Sequence, residues 1–200
     1  MNDSYLTLKE RHRTEVKVIG SKFIGTAQPV TSLEEADAFL HEMRQEFWDA
    51  SHNCYGFHIE GTDIRYSDDG EPSGTAGKPI YDQIKGRNLM YSMVVVTRYF
   101  GGTKLGTGGL IRAYGDAAEA VLTEADIIEV IRKDTVLIRH SYDDTSVVMR
   151  FISTFNAEIR STEYQNDVEL RVAVRQSESG RFVKELYENG NGRVHVSKLS

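Results

Sequence analysis

Three features of the sequence predict a two-domain chain of the α+β class. Over residues 131–200 the apolar periodicity changes in the order strand, helix, strand, strand, helix, strand. That order describes a ferredoxin-like βαββαβ sandwich, with helices on one face of an antiparallel sheet. Glycine is unevenly spread, with 14 of 17 before residue 130. Charge is uneven too: residues 1–130 hold 13 basic and 20 acidic side chains, a balance of −7, against 11 and 10 over 131–200, a balance of +1. The boundary is expected between Glu129 and Lys133, giving domains 1–130 and 131–200, and 200 residues suffice for two small cores.

In chain order, Val16–Ile19 and Lys22–Gln28 flank Gly20-Ser21 as a hairpin. Ser32 and Glu35 form a capping box, and Leu33, Ala36, Leu40, Met43 and Phe47 follow at helical spacing. Asn53–Ile59 and Ile64–Ser67 read as a second hairpin across Gly61. Next come a loop, a short helix near Ile80–Lys85, the apolar strand Met93–Tyr99, a glycine loop, and a helix from Leu110 to near Glu124. Leu110, Ala113, Tyr114, Ala117 and Val121 form the buried stripe of that helix. In the second domain Asp134–Ser141 alternates as a strand, Asp143 or Asp144 caps a helix through Phe155, and Ala157–Tyr164 returns as a strand. Asn166-Asp167 turns into Val168–Arg175, where Val168, Leu170, Val172 and Val174 share a face. A helix after Ser177, carrying Phe182, Val183 and Leu186, stops at Asn189-Gly190, and Arg193–Lys198 is the last strand.

Composition excludes several classes. A net charge of −6 argues against general coating of nucleic acid and leaves only a local basic face. The longest uncharged apolar run, around Met93–Val96, falls far short of the roughly 20 residues a membrane span needs, and the N-terminus is polar. Cys54 is a single cysteine, which forms no internal disulfide and no Cys-rich zinc site. A cytoplasmic protein without a membrane partner is expected.

The local basic face lies between Gly77 and Gly115, where Lys78, Lys85, Arg87, Arg98, Lys104 and Arg112 oppose Asp82 alone, a balance of +5. Tyr81, Tyr91, Tyr99, Phe100 and Tyr114 are interleaved with these cations, the combination that stacks bases and meets phosphates in single-strand and RNA binding. Within it, Tyr99 through Gly109 joins a strand to a helix, and its glycines leave backbone amides unshielded. Gly106, Gly108 and Gly109 are therefore candidate anion-binding positions, with Arg98, Lys104, Arg112 and Lys78 as charge-assisting neighbours. A tight turn needing positive φ is the alternative. The dinucleotide fingerprint fails because Ile111 stands where glycine or alanine is required.

A second loop, Ser67 through Pro79, holds a Gly-Lys pair, but Pro72 and Pro79 occupy the positions where a phosphate-binding P-loop needs Gly and Ser or Thr. Asp68, Asp69 and Glu71 either converge on a hard cation or make a solvated or amide-capping turn; calcium-loop spacing is absent, and no metal site is expected. Ser73 lacks the preceding glycine of a nucleophile elbow. Cys54 and His58 on one strand would stand roughly 13 Å apart, too far to pair, whereas His52 reaches Cys54 only if the chain bends.

Ser51-His52-Asn53-Cys54-Tyr55, Ser67 through Pro79, and Val94 through Ala118 together resemble the IMPACT family in its bacterial, YigZ-like branch. The match is specific over Asp49–Ala118 and rests on topology elsewhere. The resemblance implies an N-terminal domain of the ribosomal-protein type of βα fold ahead of the ferredoxin-like domain, an order similar to the last two domains of elongation factor G. It also implies a role in translation control. Eukaryotic members modulate a starvation-responsive kinase of translation initiation through an additional N-terminal domain, a role not expected where the motifs begin at Ser51.

The expectation is a nonenzymatic, cofactor-free regulator that binds RNA or the ribosome through the glycine-rich basic face. The alternatives are a small hydrolase using the acidic turn at residues 68–71 with Cys54 or His52, and a protein-interaction module without a small ligand.

Overall fold

A computed structural model describes residues 3–61 and 65–199. The chain separates into two compact units, Leu6–Glu129, and Val130–Ser200 with the N-terminal residues through Tyr5. In order, the elements of the first part are β1 (Ser4–Leu8), β2 (His12–Val18), β3 (Ser21–Pro29), α1 (Leu33–Glu46), β4 (His52–His58), β5 (Arg65–Ser67), α2 (Gly77–Gly86), β6 (Ser92–Tyr99), α3 (Gly106–Glu124) and β7 (Ile127–Ile131). Ile64, the expected start of the second hairpin's return strand, lies outside the described residues. Strands β1 and β7 form a two-stranded ribbon.

The five-stranded sheet of the first unit runs β2-β3-β6-β4-β5, antiparallel throughout. Ile19 and Gly20 join β2 to β3 with φ of 46° and 80°, the two positive values of a type I′ hairpin turn. Both faces of the sheet are covered, so β6 is buried along nearly its whole length. On one face Val94 and Val96 join Phe23, Ala27 and Cys54 beneath α2 and α3. On the other, Met93 and Val95 join Phe57 beneath Ala36, Phe39, Leu40 and Met43 of α1. Helix α3 lies close on β3 because Gly25 has no side chain: a Cβ there would stand 2.8 Å from the Ala117 carbonyl oxygen. At the start of α1 the Ser32 Oγ accepts from the Glu35 amide at 3.2 Å. The Glu35 carboxylate, instead of closing the box on Ser32, accepts from the Thr31 amide and hydroxyl.

The second unit contains β8 (Lys133–His140), a 3-10 turn (Tyr142–Asp144), α4 (Thr145–Thr154), β9 (Glu158–Tyr164), β10 (Val168–Arg175), α5 (Gln176–Asn189) and β11 (His195–Lys198). Its antiparallel sheet runs β11-β8-β10-β9, the ferredoxin-like order. Val168, Leu170, Val172 and Val174 pack with Val136 and Ile138 against Phe151, Phe182 and Leu186 of the helices.

Two local expectations change. Asp144 makes no capping bond to α4: its buried carboxylate accepts from Ser141 Oγ and from Arg193, a charge-assisted partner stronger than a backbone amide. Helix α3 begins at Gly106, four residues before the expected Leu110, so Gly108 and Gly109 belong to its first turn. Gly106 itself has φ +70°, which turns the chain into the helix. No helix among the described residues is long and apolar enough to cross a membrane.

Candidate anion-binding site

Strand alternation builds the site. The face of β6 that carries Val94 and Val96 continues to Arg98, and the pairing register sets Arg98 opposite Phe23 of β3 and His52 of β4, with Cys54 opposite Val96. A cation has thus been drawn onto a core-facing position at the strand's end. Its side chain is 6% exposed. Nη1 donates to Glu71 Oε1 at 2.5 Å, Nη2 reaches Ser21 Oγ at 3.4 Å, and the sealed Nε has no partner among the described residues. The guanidinium carbon lies 5.5 Å from the ring centroids of both Phe23 and Phe100.

Glu71 reaches this cation from the loop before α2, and its side chain is 4% exposed. Its Oε1 also accepts from the Tyr114 hydroxyl at 2.8 Å. Tyr114 is fully buried on α3, edge-on to Phe23. Burial, with the neighbouring Cys54 and Glu71, pushes the Tyr114 phenol far above its ordinary range, so it acts as a donor and stays protonated. The His52 Nδ1 donates to the Asp69 carbonyl at 2.8 Å, which leaves Nε2 3.9 Å from Glu71 Oε1. One carboxylate therefore ties the motif loop, the central strand and α3 together.

The acidic turn does not converge. Asp68 accepts from the amides of Gly74, Ala76 and Gly77 at 2.8, 2.9 and 2.8 Å. Burial acts to raise its carboxyl, and the three amides outweigh it, holding the group below the usual aspartate range. Asp69 turns the other way, accepting from the Asn53 amide and from Arg44, both at 2.7 Å. No group of His, Cys, Asp and Glu able to hold a metal occurs among the described residues. Ser73 is exposed on the loop. Cys54 is fully buried, and burial pushes its thiol far up. The Sγ donates to the Asp68 carbonyl, while His52 and His58 are engaged with the carbonyls of Asp69 and Leu89. A protonated, sealed thiol without a histidine partner is no nucleophile.

The open part of the site is a cleft of about 420 Å³ lined by Glu71, Pro72, Arg98, Phe100, Lys104, Leu105, Gly106, Thr107 and Leu110. Its lining is mainly apolar, and the start of α3 forms part of it. The first turn of α3 has no side-chain cap from Leu105, so its leading amides lack partners within the helix, and Gly106 and Thr107 of that turn line the cleft. The glycines of the junction differ in cause. Gly101 is fixed by packing, since a Cβ there would stand 2.0 Å from the Gly20 carbonyl carbon. Gly108 has nothing within 4 Å of a Cβ outside its own helix turn, so packing does not require it.

The six cations of the central segment do not make one solvated face. Arg98 is buried against Glu71 because the strand's alternation points it inward. Lys78 pairs with Asp82 at 2.6 Å, and Arg87 bonds Gln83 and Thr123. Lys104, on the cleft wall, and Arg112, on α3, are exposed. Sequence reading missed Ser21, Phe23 and Leu105 as members of the site, and it placed Tyr114 both in the helix's buried stripe and among the base-stacking aromatics, whereas Tyr114 is fully buried and donates to Glu71. The alternation Val94, Val96, Arg98 was the available signal, because it places the arginine on a buried face that must supply a counter-ion.

Residues 19–122 match the Impact N-terminal domain, and residues 138–193 match a domain of unknown function, DUF1949. The IMPACT family member YvyE of Bacillus subtilis is 34% identical over 207 residues, covering 99% of this chain and 92% of that protein. The IMPACT family member YigZ of Escherichia coli is 31% identical over 180 residues, 88% of each chain. A solved structure described as a hypothetical protein is 28% identical, covers 100% of this chain and 99% of its own, and superposes with a TM-score of 0.72. The two matched domains, in this order and over nearly the whole length of such relatives, place the chain in the IMPACT family.

Proposed function

We propose that the first unit binds RNA, free or within the ribosome, by holding phosphate at the start of α3, and that the chain acts in translation as a regulator without turnover. The observation that carries this reading is the uncapped α3 N-terminus opening onto a cleft whose wall holds the exposed Lys104 and the incompletely bonded guanidinium of Arg98. Helix amides and the helix dipole favour an anion there, and Glu71 does not oppose it because Arg98 neutralises its charge. The three acidic residues of the turn have structural partners, which weighs against the hydrolase alternative. Eukaryotic family members act on translation, and this supports the process assigned.

The test is binding of a fluorescent single-stranded RNA, and cosedimentation with ribosomes, across a salt series. Lys104→Glu with Arg112→Glu removes two phosphate contacts without touching the buried pair. The dependence of log K on log salt should fall by about 1.4, from roughly 0.7 per single-strand phosphate contact. Unchanged affinity and slope in the folded variant would overturn the reading.

A further inference from the structure

We propose that the uncovered face of the second unit's sheet is the contact through which two copies of this chain associate, face to face and with their strands reversed. Helices α4 and α5 pack on one side of that sheet, where Val136, Ile138, Val168, Leu170, Val172 and Val174 meet them. Strand alternation sends the intervening residues to the other side. Across the sheet at one end of that side stand His195, Arg139, Glu169 and Glu163, and at the other end Lys133 and Arg175. Between them lie Leu137, Thr135 and Ala173, small or apolar side chains over which a second sheet can stack at about 10 Å.

The two ends carry the same conflict with opposite signs. Glu163 stands directly opposite Glu169, and Lys133 directly opposite Arg175. Like charges so placed repel. Each pair is half relieved within the chain, because Arg139 bonds Glu169 at 2.5 Å and Lys133 bonds Glu158 at 2.9 Å. Glu163 and Arg171 are exposed and have no ion pair among the described residues, and Arg175 acts on Asp3 only through space. With His195 neutral, Arg139 against Glu163, Asp167 and Glu169 leaves the first end at −2. Lys133, Arg160, Arg171 and Arg175 against Glu158 and Asp3 leave the other at +2. The acidic end is also concave, a cleft of about 520 Å³ among Glu163, Asp167, Glu169 and the turn between β9 and β10, with room for an incoming cation.

This balance selects the occupant. A second copy turned end for end lays the acidic end of each face on the basic end of the other, twice at once, which is the reciprocity a two-fold contact requires. A polyanion such as RNA would meet carboxylates over half of the surface. The contact uses none of the residues of the RNA reading and stands or falls apart from it.

The experiment is sedimentation equilibrium of the full chain from about 5 µM to about 0.5 mM, a range suited to the weak association of small polar contacts. A dimer should form at low salt, and its association constant should fall about tenfold on going to about 0.5 M salt. Arg171→Glu with Arg175→Glu makes both ends negative, and Glu163→Lys with Asp167→Lys makes both ends positive. Each double variant alone should associate at least about tenfold more weakly, and an equimolar mixture of the two should recover to within about threefold of the unaltered chain. Rescue on mixing is a result that a merely structural role of these side chains cannot give. An unaltered chain that stays monomeric at the highest concentration would overturn the proposal, as would variants that associate like it or a mixture no better than its components. Tighter RNA binding by Glu163→Lys with Asp167→Lys, beside a monomeric unaltered chain, would assign the face to nucleic acid and overturn it too.

Discussion

Replacing Glu71 with Gln removes one charge from the Arg98–Glu71 pair and keeps the shape and the acceptor that Tyr114 needs. Both side chains are almost sealed from solvent, at 6% and 4% exposure, so Arg98 would be left as an uncompensated interior charge. Breaking a pair of this kind from one side costs about 3–5 kcal/mol. Arg98→Met should cost a similar amount, because it leaves Glu71 as the uncompensated interior charge. The double variant, with neither charge, should cost at least about 1 kcal/mol less than the two single losses added, as expected for groups in direct contact. Because the chain has two units, the assay must be local. Amide hydrogen exchange of Val94–Val96 reports the first unit, and Val172–Val174 serves as the control in the second. At 1.4 kcal/mol per tenfold change, Glu71→Gln should speed exchange in β6 by about two to three and a half decades. Single-variant effects that simply add, or a Glu71→Gln effect below about 1 kcal/mol, would refute the claim that this pair holds the site together.

Gly101→Ala should lower the thermal midpoint sharply, with a cost of about 3 kcal/mol or more, because its Cβ would meet the backbone of Gly20 and Ser21 at 2.0 and 2.3 Å; a variant of full stability would show that the hairpin yields freely. Gly106→Ala should cost about 1–2 kcal/mol through its left-handed backbone alone, measured by denaturant unfolding with phosphate absent. Asp68 has a folded pKa below its unfolded value, so its stabilisation is complete above the ordinary aspartate value near 3.9 and is lost as pH falls from there through the lower folded value. The stability advantage of the wild type over Asp68→Asn should therefore shrink between pH 5 and pH 2, and a gap that stays constant over that range would contradict the three amide bonds.

Much of the second unit is legible in sequence because its strands are covered on one face and alternate accordingly. Val168, Leu170, Val172 and Val174 announce their strand, and the order of elements is enough to name the sandwich. The first unit hides more. Its sheet is covered on both faces, so β6 reads as a continuous apolar run whose two sides look alike, and only the alternation Val94, Val96, Arg98 signals the buried place of the arginine at its end. The start of α3 is disguised by glycines, whose low propensity reads as loop although tertiary packing carries the helix back to Gly106. The cleft's apolar wall and its buried carboxylate come from segments far apart in sequence, Glu71, Arg98 and Tyr114, and no local periodicity records that meeting.

Cys54 gives the first unit a natural reporter. Its sulfur is walled off and kept as the thiol, and it is the chain's single cysteine. A thiol-selective reagent therefore has no other thiol to label, and its uptake measures how often the first unit opens, whatever the second is doing. Any molecule that settles in the cleft and restrains Arg98, Glu71 and Tyr114 will slow that labelling, so the chain carries an unmodified, one-site screen for its own ligand.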